Sequence, residues 1–278
     1  MATSSKITYH TRSISLPTRS SALTLAVEEQ LCRLRSLELA TSSSRSISQS
    51  LTGLKDLYES VEDFLHLQPI QQENCLDSAL DGFLLLLDAC GSTRDVLSQM
   101  KQCVQDLLSS IRRKRYGKLG LTVELKEYMS SRKKVTKMIR KCLEGLKKMQ
   151  YENSDKVAIV NMLRQVEVTT ISVFESVVSF LSGSKAQKQS SWSLICKLVL
   201  NTQGACEENE NETNDFVEVE MALNTFINNR QHKAIVNAKS IQKPLETLEM
   251  SIQNFEEVLE GVFRGLIKIR VSLLNILN

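Results

Sequence analysis

An all-α, elongated multi-helix bundle is the fold class this sequence predicts, and three observations carry it. Ile241, Leu245, Leu248, Ile252, Phe255, Leu259, Val262, Leu266, Ile269, Leu273 and Ile276 recur at alternating steps of four and three. A strand alternates with period two and cannot gather that set on one face, so the C-terminal stretch is a long heptad-patterned helix. The same rhythm returns in several upstream segments, which supplies partners for its apolar stripe. Breakers are scarce, with 10 Gly and 3 Pro in 278 residues, which suits long helices joined by short turns and argues against a doubly wound sheet. No segment repeats at a fixed period, so an antiparallel bundle of six to nine helices is expected and not a solenoid. Leu54, Leu84, Val104, Ile139, Val166 and Leu259 are the expected core markers.

Taken in order, residues 1–23 hold no acidic residue and are rich in Ser and Thr, with Lys6, Arg12 and Arg19. They read as a disordered basic tail, with a transit peptide as the rival. A single helical-bundle domain is expected from 24 to 278. Its first helix runs over about 24–39 on Val27, Leu31 and Leu34, and a polar hinge spans 41–46. The second carries Ile47, Leu51, Leu54, Tyr58, Val61 and Leu65 and is limited by Pro69. A very apolar helix over 74–87 is expected to reach a kink or short turn at Cys90-Gly91. Ser92 or Thr93 then caps a helix on Val96, Met100, Val104, Leu108 and Ile111.

The tract from Arg112 to Gly117 closes that helix, with cations facing the negative end of its dipole. A long helix over 121–149 follows on Leu125, Tyr128, Val135, Ile139, Cys142, Leu146 and Met149, with Arg132 in the remaining heptad slot. Another spans 153–181, with Thr170 in the odd slot. A shorter helix over 192–200 precedes a flexible acidic loop at about 201–214. Helical spacing resumes over 216–226, and the terminal helix begins near Ala234. Pro244 either kinks it or marks a start at 241–243.

Composition narrows function by exclusion. The longest unbroken apolar run, Phe83 to Leu87, is far too short to cross a bilayer. Seven Cys at 32, 75, 90, 103, 142, 196 and 206 include no close pair, and His occurs only at 10, 66 and 232. No metal site or cofactor is expected, and the thiols read as reduced. No nucleophile elbow, glycine-rich phosphate loop or metalloprotease motif occurs, so no catalytic residue is named. Asp77 and Asp81 can share a helix face, and His66 lies near a helix end, but no Glu-x-x-His element accompanies them. All three read as surface residues. An intracellular, soluble and cytoplasmic protein is the expectation, with nucleus, membrane periphery and chloroplast as alternatives.

Charge is uneven. The net charge is +3, yet residues 112–148 hold fourteen Lys or Arg against three Glu, and 207–220 hold seven acidic residues and no basic one. Arg112, Arg113, Lys114, Arg115, Arg132, Lys133, Lys134, Lys137, Arg140 and Lys141 form a candidate interaction patch flanking one turn between two helices. Three readings stand. One is a solvated face that pairs with the acidic stretch, another is contact with anionic lipid or an acidic protein, and the third is a nuclear import signal at 112–115. Nucleic-acid readout lacks an accompanying motif. Ser15 and Ser48, each in an Arg-Ser-Ile-Ser context, are candidate phosphorylation sites that could pair with the patch. A monomer is favoured, with a homodimer through the terminal seam as the alternative, and the protein partner is unnamed.

Several segments together resemble a known plant family. They are YHTRSISLPTR at 9–19, EEQLCRLRS at 28–36, LKDLYESVED at 54–63, SALDGFLLLLDACGSTRD at 78–95, SIRRK at 110–114 and RVSLLNILN at 270–278. The chain is similar over essentially its full length to the plant-specific DUF241 family, related to the BYPASS proteins. It departs at Ser20-Ser21, where relatives tend to read Ser-His-Pro. The resemblance implies a land-plant protein with no assigned enzyme activity. It also implies a non-enzymatic role in root and shoot developmental signalling, through restraint of a mobile root-derived signal. No catalytic residue carries over. Membrane association and a chloroplast label both occur around the relatives.

Overall fold

The terminal seam is covered by the chain itself. In the computed structural model, which describes residues 15–38, 43–67, 76–113, 118–149, 158–182, 214–228 and 234–277, Ile241 through Leu273 of the seam are fully buried. Seven helices carry the described residues. They are α1 (Ser15–Glu38), α2 (Ser44–Leu67), α3 (Asp77–Arg113), α4 (Lys118–Met149), α5 (Ala158–Ser182), α6 (Asp215–Asn228) and α7 (Ala234–Leu277). No strand occurs among them.

The longest helix, α7, spans about 65 Å at 1.5 Å per residue and lies chiefly against α3 and α2, with α6 alongside. Charged pairs set its direction. Arg94 reaches Glu260 at 3.0 Å, Lys101 reaches Glu256 at 2.8 Å and Arg112 reaches Glu246 at 3.0 Å, so α3 runs antiparallel to α7. Asn254 donates to Ser48 at 2.8 Å and Lys268 to Glu62 at 3.3 Å, so α2 runs parallel to α7. Exposed pairs of this kind contribute about 0–1 kcal/mol each; they fix register more than they hold the bundle. The holding term is apolar burial across one continuous core. Phe180 meets Phe255 edge to face at 5.5 Å, joining α5 to α7.

Polar residues mark the helix starts. Ser43 caps α2, its Oγ accepting from the Ser46 N–H at 3.2 Å, and Asn214 caps α6 through the Phe216 N–H at 2.8 Å. Of the polar stretch expected as a hinge over 41–46, residues 43–46 are the cap and first turn of α2, and 41–42 lie outside the described residues.

Several expectations are corrected. α1 begins at Ser15, well before residue 24, with Pro17 in its first turn, where a missing N–H costs no intrahelical bond. α3 is unbroken through Cys90-Gly91. A mid-helix Gly costs only about 1 kcal/mol relative to Ala, and buried Ala89, Cys90 and Thr93 on the same turns hold the helix. Leu84, expected in the core, is 41% exposed. Phe83 and Leu86 occupy the inward positions there, and steps of about 100° per residue cannot turn four successive leucines inward. The other five markers are buried. α7 runs continuously from Ala234 through Pro244. The helix expected over 192–200 and the acidic loop from 201 to 213 lie outside the described residues.

Close helix contacts depend on glycine. A Cβ at Gly265 of α7 would lie 2.8 Å from Tyr58 Cδ2 on α2. Tyr58 cannot swing aside, because it is buried and its hydroxyl shares a 2.8 Å hydrogen bond with Thr170 on α5. Gly265→Ala is expected to destabilise by about 1–2 kcal/mol, overpacking outweighing the helix-propensity gain. Gly145→Ala, with nothing within 4 Å of the added carbon, is expected to stabilise by about 0.5–1 kcal/mol. Urea titration of the two variants checks the contrast, and equal midpoints would refute it.

Candidate interaction surface

The α3–α4 hairpin exists, with Ser110 donating to Glu124 at 3.0 Å near the turn and Thr93 opposite Cys142 farther along. It does not gather the ten candidate cations at one place. Arg112 lies by the turn and engages Glu246 on α7. Hydrogen bonds from Gln242 and then Arg112 hold the Glu246 carboxyl below its usual range. Arg113 turns back on its own helix, its Nε donating to the Ser109 carbonyl at 3.2 Å. Lys114 and Arg115 lie outside the described residues.

Arg132 is not a surface cation. It is 8% exposed, and its Nη2 donates to the Leu181 carbonyl at 2.6 Å, capping the last turn of α5. Its guanidinium carbon lies 4.0 Å from the centroid of the Phe216 ring on α6. Nη1 reaches Thr136 at 3.4 Å. Burial pushes the Arg132 pKa down, with Tyr128 and Glu220 opposing that shift. One side chain of α4 thereby holds the ends of α5 and α6. Its place between Tyr128 and Val135 in the heptad was the signal for this; its charge pointed the other way.

The remaining five, Lys133, Lys134, Lys137, Arg140 and Lys141, are exposed on α4. With Lys126 and Lys148, they turn away from the buried row of Leu125, Tyr128, Arg132, Val135, Ile139, Cys142 and Leu146. No ion pair joins these cations to another described residue. A rise of 1.5 Å per residue puts Lys133 to Lys141 about 20–35 Å beyond the turn. The surface is therefore a cationic stripe along one helix.

Ser48 is half-buried at the α2–α7 contact, accepting from Asn254. Ser15 opens α1, and its side chain is outside the described part. Asp77 and Asp81 are exposed on α3, and exposed His66 lies 4.0 Å from Glu62 on its own helix. The described thiols at Cys32, Cys90, Cys103 and Cys142 are free; burial pushes the Cys90 pKa up to about 12 and raises those of Cys103 and Cys142. Cys32 is exposed, and Cys75, Cys196 and Cys206 lie outside the described residues. Among the described residues no group of three His, Cys, Asp or Glu is placed to hold a metal, and no helix is long and apolar enough to cross a membrane.

An open groove of about 600 Å³ follows the contact between α3 and α4 on the side next to the cationic stripe. Leu85, Val96, Met138 and Met149 line it, and none of Asp77, Asp81 or His66 does. Sequence reasoning missed it, because a groove is a property of two helices and their spacing.

No curated protein and no solved structure matches the chain. A family model does, and it covers residues 50–276, from the second turn of α2 almost to the end of α7. The hairpin, the cationic stripe, the groove and the covered seam all fall within that span, and by this match the chain belongs to the Protein BPS1 family.

Proposed function

We propose that this chain acts as a scaffold whose outer helical surface binds other proteins, within the non-enzymatic, BYPASS-related plant developmental signalling of its family. Family membership over residues 50–276 carries the reading. The packed apolar interior is in keeping with it, since the side chains left to meet partners are those on the helix exteriors. The test is proximity labelling in plant cells, comparing the full chain with a variant in which Lys133, Lys137, Arg140 and Lys141 are Ala. The scaffold reading expects a reproducible set of partners. A labelling profile equal to that of a free tag would overturn it.

A second reading, a peripheral membrane adaptor, is favoured by the exposed stripe on α4. The turn end of the candidate patch is in part engaged elsewhere, since Arg112 pairs with Glu246. Each Lys or Arg near an anionic surface contributes about 1 kcal/mol of attraction. Co-sedimentation with phosphatidylcholine vesicles, with and without phosphatidylserine, is expected to show binding only to the anionic set. That binding should be lost in the four-alanine variant and weakened by salt. Equal binding to both vesicle types, or none, removes the adaptor version. The proposed compartment is the cytoplasm. A fluorescent fusion that concentrates in nuclei or chloroplasts would refute it.

A further inference from the structure

We infer that the groove between α3 and α4 seats an amphipathic helix from a partner protein, apolar on its inner face, basic along the flank that meets α3 and acidic along the flank that meets α4. The inference rests on the scaffold reading and specifies the partner's chemistry.

The groove has the size and lining of a helix seat. Its lining combines small residues, Ala89, Ser92 and Gly145, with larger apolar ones, Leu85, Val96, Met138 and Leu146. Leu85 is 50% exposed. The lining runs over 85–96 of α3 and 138–149 of α4, about 16 Å or three helical turns. Docking an amphipathic helix in such a groove is a recurrent recognition mode.

Gly145 is the first pointer to an occupant. A glycine within a helix is destabilising, so an internal reason is expected. Gly53, Gly82 and Gly265 have one, because a Cβ there would press on Leu34, Glu167 or Tyr58. Gly145, like Gly91, has nothing within 4 Å of where its Cβ would lie, but of the two it is Gly145 that lines this groove. The fold does not require it, and the room it leaves opens into the groove.

The rims are the second pointer. Asp88 and Asp95 lie one heptad apart on α3, and Asp81 precedes them by another heptad. Lys141 and Lys148 lie one heptad apart on α4, and Lys134 precedes them likewise. All six are exposed. The hairpin register, set by Ser110 opposite Glu124 and Thr93 opposite Cys142, puts Asp95 across from Lys141 and Asp88 across from Lys148. No ion pair among the described residues joins these rims. Charges repeating every seven residues on either side of an apolar seam are what the flanking positions of a coiled coil present to an incoming helix. Reversing that helix exchanges its flanks, so a helix with one basic and one acidic flank has a single orientation that satisfies both rims.

The test uses the full chain and fluorescently labelled two-heptad peptides with Leu at the inner positions, read by anisotropy at low salt. One peptide carries Lys on one flank and Glu on the other; the controls carry Glu on both or Lys on both. The mixed peptide is expected to bind at least about tenfold tighter than either control. Gly145→Gln should cut that binding at least about tenfold without lowering the melting temperature. Asp88→Lys combined with Asp95→Lys should shift preference to the all-Glu peptide. Equal affinity for all three peptides, or a preference that the rim exchange does not move, overturns the inference. So does a red shift of Trp192, the single tryptophan, in Gly145→Gln without peptide, which would make the chain's own 192–200 segment the occupant. A dimer in sedimentation that Gly145→Gln dissolves would make it a second copy. Partners retained in proximity labelling alongside a negative peptide result would overturn the groove and leave the scaffold reading standing.

Discussion

Deleting residues 241–278 is expected to leave a chain that cannot hold its tertiary structure. The seam from Ile241 to Leu273 contributes ten fully buried apolar side chains. Each forgoes about 1.5–3 kcal/mol when its burial is lost, and the ten together match or exceed the roughly 5–15 kcal/mol by which a domain is stable. The loss falls on the partners as well, since α7 is the surface against which α2, α3 and α6 close. The truncated chain should retain much of its far-ultraviolet helix signal, bind a hydrophobic dye and lose near-ultraviolet signal and cooperative melting. A truncated chain that melts cooperatively as a monomer would show that α7 is an appendage. That outcome would restore the alternative of a seam reserved for a second copy.

The heptad phase made most of this fold legible. A side chain's inward or outward direction follows from its place in a 3.6-residue turn, and long segments with few breakers leave little freedom in that phase. The apolar run Phe83 to Leu87 is where the pattern failed, because consecutive leucines fit every phase; only packing shows that Leu84 and Leu85 face out. Gly91 misled for an energetic reason. Its cost is local and small, while the helix on both sides is held by buried neighbours. The tight approach at Gly265 was invisible, since it depends on Tyr58 of a helix some two hundred residues away in sequence.

The candidate patch was legible as composition and not as geometry. Cations close in sequence are spread by a helix along its axis and around it, so the eight described ones part into Arg112 and Arg113 by the turn, Arg132 in the interior, and a stripe on the outside of α4. The groove beside the stripe needed the register of two helices. Once that register is known, the heptads of Asp81, Asp88 and Asp95 and of Lys134, Lys141 and Lys148 can be read directly from the sequence.

Arg132→Ala is expected to cost about 3 kcal/mol, the largest effect of any single substitution among these candidate cations. Three losses combine in it. The Leu181 carbonyl at the end of α5 loses a buried charge-assisted donor, and an acceptor stranded in this way costs about 1–3 kcal/mol. The Phe216 ring loses the guanidinium stacked on it, worth about 0.5–2 kcal/mol. The removed side chain also leaves a void where α4, α5 and α6 meet. Arg132→Met restores most of the volume and should recover about half of the loss, whereas Arg132→Lys should recover little, because a lysine lacks the planar fork that bonds and stacks at once. Differential scanning calorimetry should place the alanine variant roughly 6–12 °C below the parent, at about 2–4 °C per kcal/mol for a chain of this size. A shift of less than about 2 °C would mean that the buried charge costs as much in desolvation as its contacts return. Arg132 would then be a tolerated residue and not the clamp that holds the ends of α5 and α6.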